Sequence, residues 1–169
     1  MIMNQTAQQK LFQETIEQHI GILLRIARVY CPNEEDRQDL IQEMMIQIWR
    51  SLHKYNDQFK MSTFLYRISL NVAISYYRRN KTRTHQRGML NEQTLQIPAD
   101  DSSGNEQQLK LLQQFISELK EIDKALMLLY LEDKSYAEIA EILGITISNV
   151  GTKVGRIKAN LKTQFSQLK

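Results

Sequence analysis

The chain has 169 residues, 22 Lys plus Arg against 19 Asp plus Glu, and a net charge of +3. Hydrophobic residues make up 42%, as in a folded protein, while six glycines and two prolines are too few turn-formers for an all-β sandwich or barrel. No run approaches the roughly 18 consecutive apolar residues that cross a bilayer, and the polar, Gln-rich segment 1–10 does not resemble a signal peptide, so a cytoplasmic location is expected.

Charge divides the chain more clearly than length does. Residues 1–90 carry 13 basic and 8 acidic side chains and residues 109–169 carry 9 and 7; between them Glu92, Asp100, Asp101 and Glu106 stand with no Lys or Arg. Pro98, Ser102, Ser103 and Gly104 fall in the same stretch. The composition predicts an all-α protein of two small helical domains, 1–87 and 108–169, joined by an acidic flexible linker at 88–107. Cys31 is the single cysteine, which excludes an internal disulfide framework and a thiolate zinc cluster. His19, His53 and His85 lack the three- or four-residue spacing of helical ligands, so neither metal nor cofactor is expected.

In chain order, Leu11, Ile16, Ile20, Leu23, Leu24 and Ala27 predict an amphipathic helix over 5–30, which Pro32 and Asn33 interrupt. A second helix is predicted over 34–54, its apolar stripe formed by Leu40, Ile41, Met44, Met45, Ile48, Trp49 and Leu52. Asp36, Asp39, Glu43, Gln47 and Arg50 recur at three and four residues on its other side. Paired carboxylates suit acid–base catalysis, but no nucleophile, Gly-rich phosphate loop or His partner accompanies them. The column reads better as a protein-binding face for a basic partner, and no enzymatic activity is expected.

A third helix is predicted over 62–80, capped by Ser62 and buried through Phe64, Leu65, Ile68, Val72, Ala73 and Tyr76. Arg67, Asn71 and Arg78, with Ser75 and Tyr77 near them, form an outward set able to hold phosphates and read base edges. Ahead of it, Tyr55 and Phe59 lie in an aromatic, basic loop. They fit either stacking on unpaired bases or a hydrophobic staple beneath the loop.

In the second domain, Leu109, Leu112, Ile116 and Leu119, then Leu126, Leu129 and Tyr130, predict two helices. Ser135-Tyr136-Ala137-Glu138 is a capping box, Gly144 suits a left-handed helix end, and Thr146 is placed to cap the next helix. Ala140, Gly144 and Val150 stand at the offsets of a helix-turn-helix, with Ile139, Leu143, Ile145, Val154, Ile157 and Leu161 as its core. Ser148, Asn149, Thr152, Lys153 and Arg156 then point outward, with Lys158 following, as candidates for a major groove. Gly151 and Gly155 weaken that helix, which fits either a backbone brought close to another group or exposed neutral positions.

Two basic runs without intervening acids, Arg67, Arg78, Arg79, Lys81, Arg83 and Arg87, and Lys153, Arg156, Lys158, Lys162 and Lys169, end the two domains. One such run is ordinarily a solvated face. Two point to phosphate backbones, which release counterions on contact with them.

The combination resembles the extracytoplasmic-function sigma factors of the sigma-70 family. The resemblance rests on Asp36 to Glu43 with Ile48-Trp49, on Phe59 to Ile68 with Asn71 and Arg78, and on Ser135 to Ala140 through Gly144-Ile145-Thr146. It implies an alternative sigma factor that binds core RNA polymerase and directs promoter-specific initiation. Asp36, Asp39, Gln42 and Glu43 would dock on the β′ clamp helices. Phe59, Lys60, Ser62, Thr63, Tyr66, Arg67, Asn71, Arg78 and Arg79 would capture and open the minus-ten element. Ser148, Asn149, Thr152, Lys153, Arg156 and Lys158 would read the minus-thirty-five element, with the second domain near the β flap. It further implies an anti-sigma factor, in many relatives membrane-bound. A flexible linker of about 20 residues spans roughly 25 Å, whereas one and a half turns of duplex extend about 50 Å. The polymerase must therefore set the domain spacing, and the free chain is expected to bind promoter DNA poorly. A stand-alone helix-turn-helix regulator explains the second domain equally well but leaves the acidic column unused.

Overall fold

The computed structural model describes residues 4–87, with side chains to residue 83, and residues 106–167. The expected linker lies outside them except for Glu106 and Gln107, which begin a helix; the Arg87 side chain and Lys169 also lie outside. Every regular element among the described residues is helical, and the chain divides into two compact units between Asn91 and Glu92.

The first unit comprises α1 (Gln5–Tyr30), α2 (Glu34–Ser51), a 3₁₀ turn (Leu52–Lys54) and α3 (Met61–Arg87). All three helices pack against one another. α1 stops before Pro32, and α2 starts where the Asn33 side chain accepts a hydrogen bond from the Glu35 amide at 2.8 Å. Glu34, Glu35 and Asp36 then occupy the first turn of α2, where amide dipoles favour negative charge. Leu23, Ile26, Leu40, Met44, Ile48, Leu52, Leu65 and Leu70 are the large side chains at the centre, each contributing about 1.5–3 kcal/mol by leaving water.

Two predicted stripes are rotated relative to the observed ones. On α1, Leu24 is 39% exposed while Ile22, Ile26 and Tyr30 are buried. On α3, Tyr66, Ser69, Leu70 and Ile74 are buried, whereas Phe64, Ile68, Val72 and Tyr76 are only half-buried. Tyr77, expected outward, packs edge-on against Tyr30 at 6.0 Å between centroids. Ser62 does not cap α3: the helix begins at Met61, and the Phe64 amide bonds back to the Lys60 carbonyl.

The second unit comprises α4 (Glu106–Glu118), α5 (Glu121–Leu131), α6 (Tyr136–Leu143) and α7 (Ile147–Ser166). The capping box forms in full: the Ser135 hydroxyl accepts from the Glu138 amide at 3.1 Å, and the Glu138 carboxylate accepts from the Ser135 amide at 2.8 Å. Gly144 takes φ 68°, the left-handed value that only a residue without Cβ adopts freely, and α6 turns into α7 there. Thr146 caps α7 by accepting from the Asn149 amide at 3.1 Å. Ala140 and Val150 are buried where the two helices meet, with Ile139, Val154 and Ile157. Leu143, Ile145 and Leu161 are only half-buried, and Ile142 takes a buried place instead. Leu126, Met127 and Leu129 of α5 complete the core.

Candidate polymerase and nucleic-acid interface

On α2, Asp39 and Gln42 are exposed and Asp36 and Glu43 half-buried, so the acidic column reaches solvent along the length of one face. α3 lies beside it. Arg79 Nη2 reaches Glu43 Oε2 at 2.9 Å, with 59% and 42% of those side chains exposed, and the guanidinium sits 5.9 Å from the Tyr76 ring centre. An ion pair so open to water contributes about 0–1 kcal/mol. It marks the seam between an acidic and a basic face more than it clamps them. A cleft of about 390 Å³ follows this seam, with Asp39, Gln42 and Glu43 on one wall and Tyr76, Arg79 and Arg83 on the other. Burial raises the Tyr76 phenol above its ordinary 10.0; the Asn80 hydrogen bond lowers it, and the negative field of Asp36 and Asp39 raises it further, with Cys31.

At the start of α3 the structure separates the two aromatics. Tyr55 tilts against Phe64 at 5.2 Å and donates its hydroxyl hydrogen bond to the Phe59 carbonyl at 2.9 Å, so it holds the loop down. Phe59 is 38% exposed with the Arg67 guanidinium 5.2 Å from its ring centre. A cation over an open ring face makes a platform that is both flat and positive. Asn71 and Ser75 continue outward at four-residue intervals from Arg67, and Lys60, Arg78, Lys81 and Arg83 are exposed. Arg79 joins this surface at its acidic edge. Thr63 and Tyr66 do not belong to it: they are 7% and 2% exposed and support the surface from behind. Ser62 is half-buried at its margin.

In the second unit Ser148, Asn149, Thr152 and Arg156 are exposed on α7. Lys153 is drawn inward, its Nζ donating to Asp123 Oδ1 at 3.3 Å with a quarter of the side chain exposed. Lys158, although exposed, lies 4.4 Å from the Tyr130 ring centre on α5, and the hydrogen bond with Tyr130 raises its ammonium pKa above the ordinary 10.5, in spite of desolvation. Of the six residues expected on the reading face, four share it; Lys153 and Lys158 turn toward α5, which Arg156 meets from the edge of that face through Asp123 Oδ2 at 3.6 Å. Gly151 faces the Tyr136 ring, with room for a Cβ at 3.6 Å, and Gly155 faces open space. Among the described residues no close approach requires either glycine.

Residues 15–83 match the protein family Sigma-70 region 2, and residues 109–161 match Sigma-70, region 4. This chain belongs to the sigma-70 family. The RNA polymerase sigma factor CnrH of Cupriavidus metallidurans is 27% identical over 163 residues, covering 90% of this chain and 85% of CnrH. The ECF RNA polymerase sigma factor SigM of Bacillus subtilis is 27% identical over 135 residues, covering 77% and 80%. The solved structure of the sigma factor RpoE with the anti-sigma factor NepR from Bartonella quintana superposes with a TM-score of 0.73 over 93% of this chain and 98% of that one, at 18% identity.

The protein is accordingly an alternative sigma factor of the extracytoplasmic-function group, binding core RNA polymerase and directing transcription initiation. The region 2 match sets aside the stand-alone regulator, which has no use for such a domain. In this sigma factor the acidic seam and the aromatic platform belong to region 2, and the capped helix pair belongs to region 4. Among the described residues no helix is long and apolar enough to cross a membrane. Sequence reasoning missed Asp123, which binds two cations of α7, although an acid in the first turn of α5 was visible. It also missed Ile46, 48% exposed in the middle of the acidic column.

Proposed function

We propose that α2 of this sigma factor docks on the polymerase β′ clamp helices through Asp39, Gln42 and Glu43, with Asp36 at the helix start and Ile46 adding apolar contact. α3 and its preceding loop capture the minus-ten element: Phe59 stacks, Lys60, Arg67, Arg78 and Arg79 meet phosphates, Asn71 meets a base edge, and Ser62 flanks them. Thr63 and Tyr66 support these residues without touching DNA. α7 reads the minus-thirty-five element through Ser148, Asn149, Thr152 and Arg156, with the second unit carried near the β flap. The domains run 1–87 and 108–169, the latter extended by the start of α4. The chain has no catalysis of its own; phosphodiester chemistry remains with the cytoplasmic polymerase. The RpoE complex with NepR supports an anti-sigma partner for this chain too, one that covers the same faces.

The observation that supports this division most directly is the Arg79–Glu43 contact, which puts the acidic docking face and the basic DNA face edge to edge. A protein held there by polymerase would offer α3 to DNA running alongside. The test is charge reversal, Asp39→Lys with Glu43→Lys, in run-off transcription with purified core enzyme. Transcription and co-elution with core should both be lost while helical content by circular dichroism stays unchanged. Undiminished run-off product would remove the docking assignment.

A further inference from the structure

We propose that Asp123 is a specificity-determining positioning residue: it withholds Lys153 from DNA and presents Arg156 to it. The proposal rests on the reading of α7 as the DNA-reading helix.

Asp123 stands in the first turn of α5, where the free amides of the helix favour a negative charge, and it is 8% exposed. Its two oxygens face different cations. Oδ1 lies 3.3 Å from Lys153 Nζ and Oδ2 lies 3.6 Å from Arg156 Nη2. Lys153 and Arg156 are three residues apart, hence on one face of α7, yet 25% of the lysine side chain is exposed against 59% of the arginine. The one carboxylate therefore holds one cation inside and leaves the other outside.

The chemistry of the two cations sharpens that difference. An ammonium is a compact point charge that a single carboxylate oxygen satisfies well, so Lys153 has little reason to leave. A guanidinium carries five N–H donors in a rigid fork. With one nitrogen facing Asp123, Arg156 keeps the rest of the fork for the acceptor pair that guanine presents in the major groove. Holding the arginine from behind also reduces the side-chain freedom it must lose on binding. A lysine released at the same place would add affinity for any phosphate and none for a particular base. Asp123 thus trades general attraction for discrimination without touching DNA itself.

The experiment uses the full chain reconstituted with core polymerase, a promoter duplex selected by the wild-type holoenzyme from a randomised library, and the same duplex with its upstream element scrambled. Binding is measured against KCl concentration for Asp123→Asn, Lys153→Gln and Arg156→Gln. Arg156→Gln should lower the slope of log affinity on log salt by about one and erase preference at one base pair. Lys153→Gln should leave slope and preference at wild-type values. Asp123→Asn should steepen the slope by about one and cut discrimination against the scrambled duplex about tenfold. Should Lys153→Gln flatten the slope as Arg156→Gln does, Lys153 already contacts DNA and the proposal is overturned, even if Asp123→Asn fails to fold. Wild-type slope and discrimination in a folded Asp123→Asn protein overturn it too. An Arg156→Gln protein with wild-type binding removes the reading of α7 and the proposal together.

Discussion

In region 2 Arg79 meets Glu43 at 2.9 Å with 59% and 42% of the side chains in solvent; in region 4 Lys153 meets Asp123 at 3.3 Å with 25% and 11% exposed. The shorter pair has the weaker direct Coulomb attraction. Coulomb energy falls inversely with both distance and effective dielectric constant, and the latter drops from about 80 in water to about 20 near protein. A few tenths of an ångström cannot offset that factor. The exposed pair can dissolve when a charged partner arrives, because water replaces each group at little cost. The buried one is part of the folded unit, since a lone carboxylate beneath α7 has poor access to water. Region 2 thus keeps its charges exchangeable, whereas region 4 fixes at least one of them in the core.

This contrast is open to experiment, and the largest effect belongs to the buried acid. Asp123→Ala should lower the stability of the second unit by about 2–3 kcal/mol, because it removes the charge-assisted hydrogen bond with Lys153, the contact with Arg156 and a favourable charge in the first turn of α5. At about 4–8 °C per kcal/mol for a domain of this size, the calorimetric midpoint should fall by roughly 10 °C or more. A wild-type midpoint would show that burial adds nothing to this pair. A smaller change of opposite sign is expected from Gly155→Ala, where an added Cβ meets no atom within 4 Å. Helix propensity should raise stability by about 0.5–1 kcal/mol, read as a higher denaturant midpoint at constant slope. If duplex binding falls at the same time, the glycine serves an approach of α7 to DNA. The smallest effect is Glu43→Gln, which should change the stability of region 2 by less than about 0.5 kcal/mol and by nothing measurable in high salt. A loss above about 1 kcal/mol, the upper end for an exposed pair, would put it on the same footing as the buried one.

How much was legible from sequence follows the same division between local and distant causes. The helix-turn-helix could be read closely because each of its signals acts within four residues: Ser135 with Glu138, Gly144 on its own, Thr146 with Asn149. The acidic column of α2 was legible too, because its polar residues recur at helical spacing, although Ile46 stands exposed among them. α3 was harder. Phe64, Leu65, Ile68, Leu70, Val72 and Ile74 lie almost all round its circumference, so periodicity does not single out a buried face, and packing against both α1 and α2 chose one centred on Tyr66, Ser69, Leu70 and Ala73. That rotation removed Tyr66 and Thr63 from the exposed face of α3 and Tyr77 from its flank. Lys153 was placed correctly on its helix but not in its surroundings, because the partner that draws it in is 30 residues away.

The sequence by itself therefore determined the helices, the caps of α6 and α7, the turn at Gly144 and the segregation of acid from base, all of which depend on neighbours along the chain. Only the tertiary structure decided which cations stay available: Arg67 over an open Phe59 ring, Arg79 at the acidic seam, Arg156 outward and Lys153 inward. The reason is that a side chain's position on its helix follows from spacing, whereas its access to water, and with it the strength of its charge interactions, depends on what another helix brings against it.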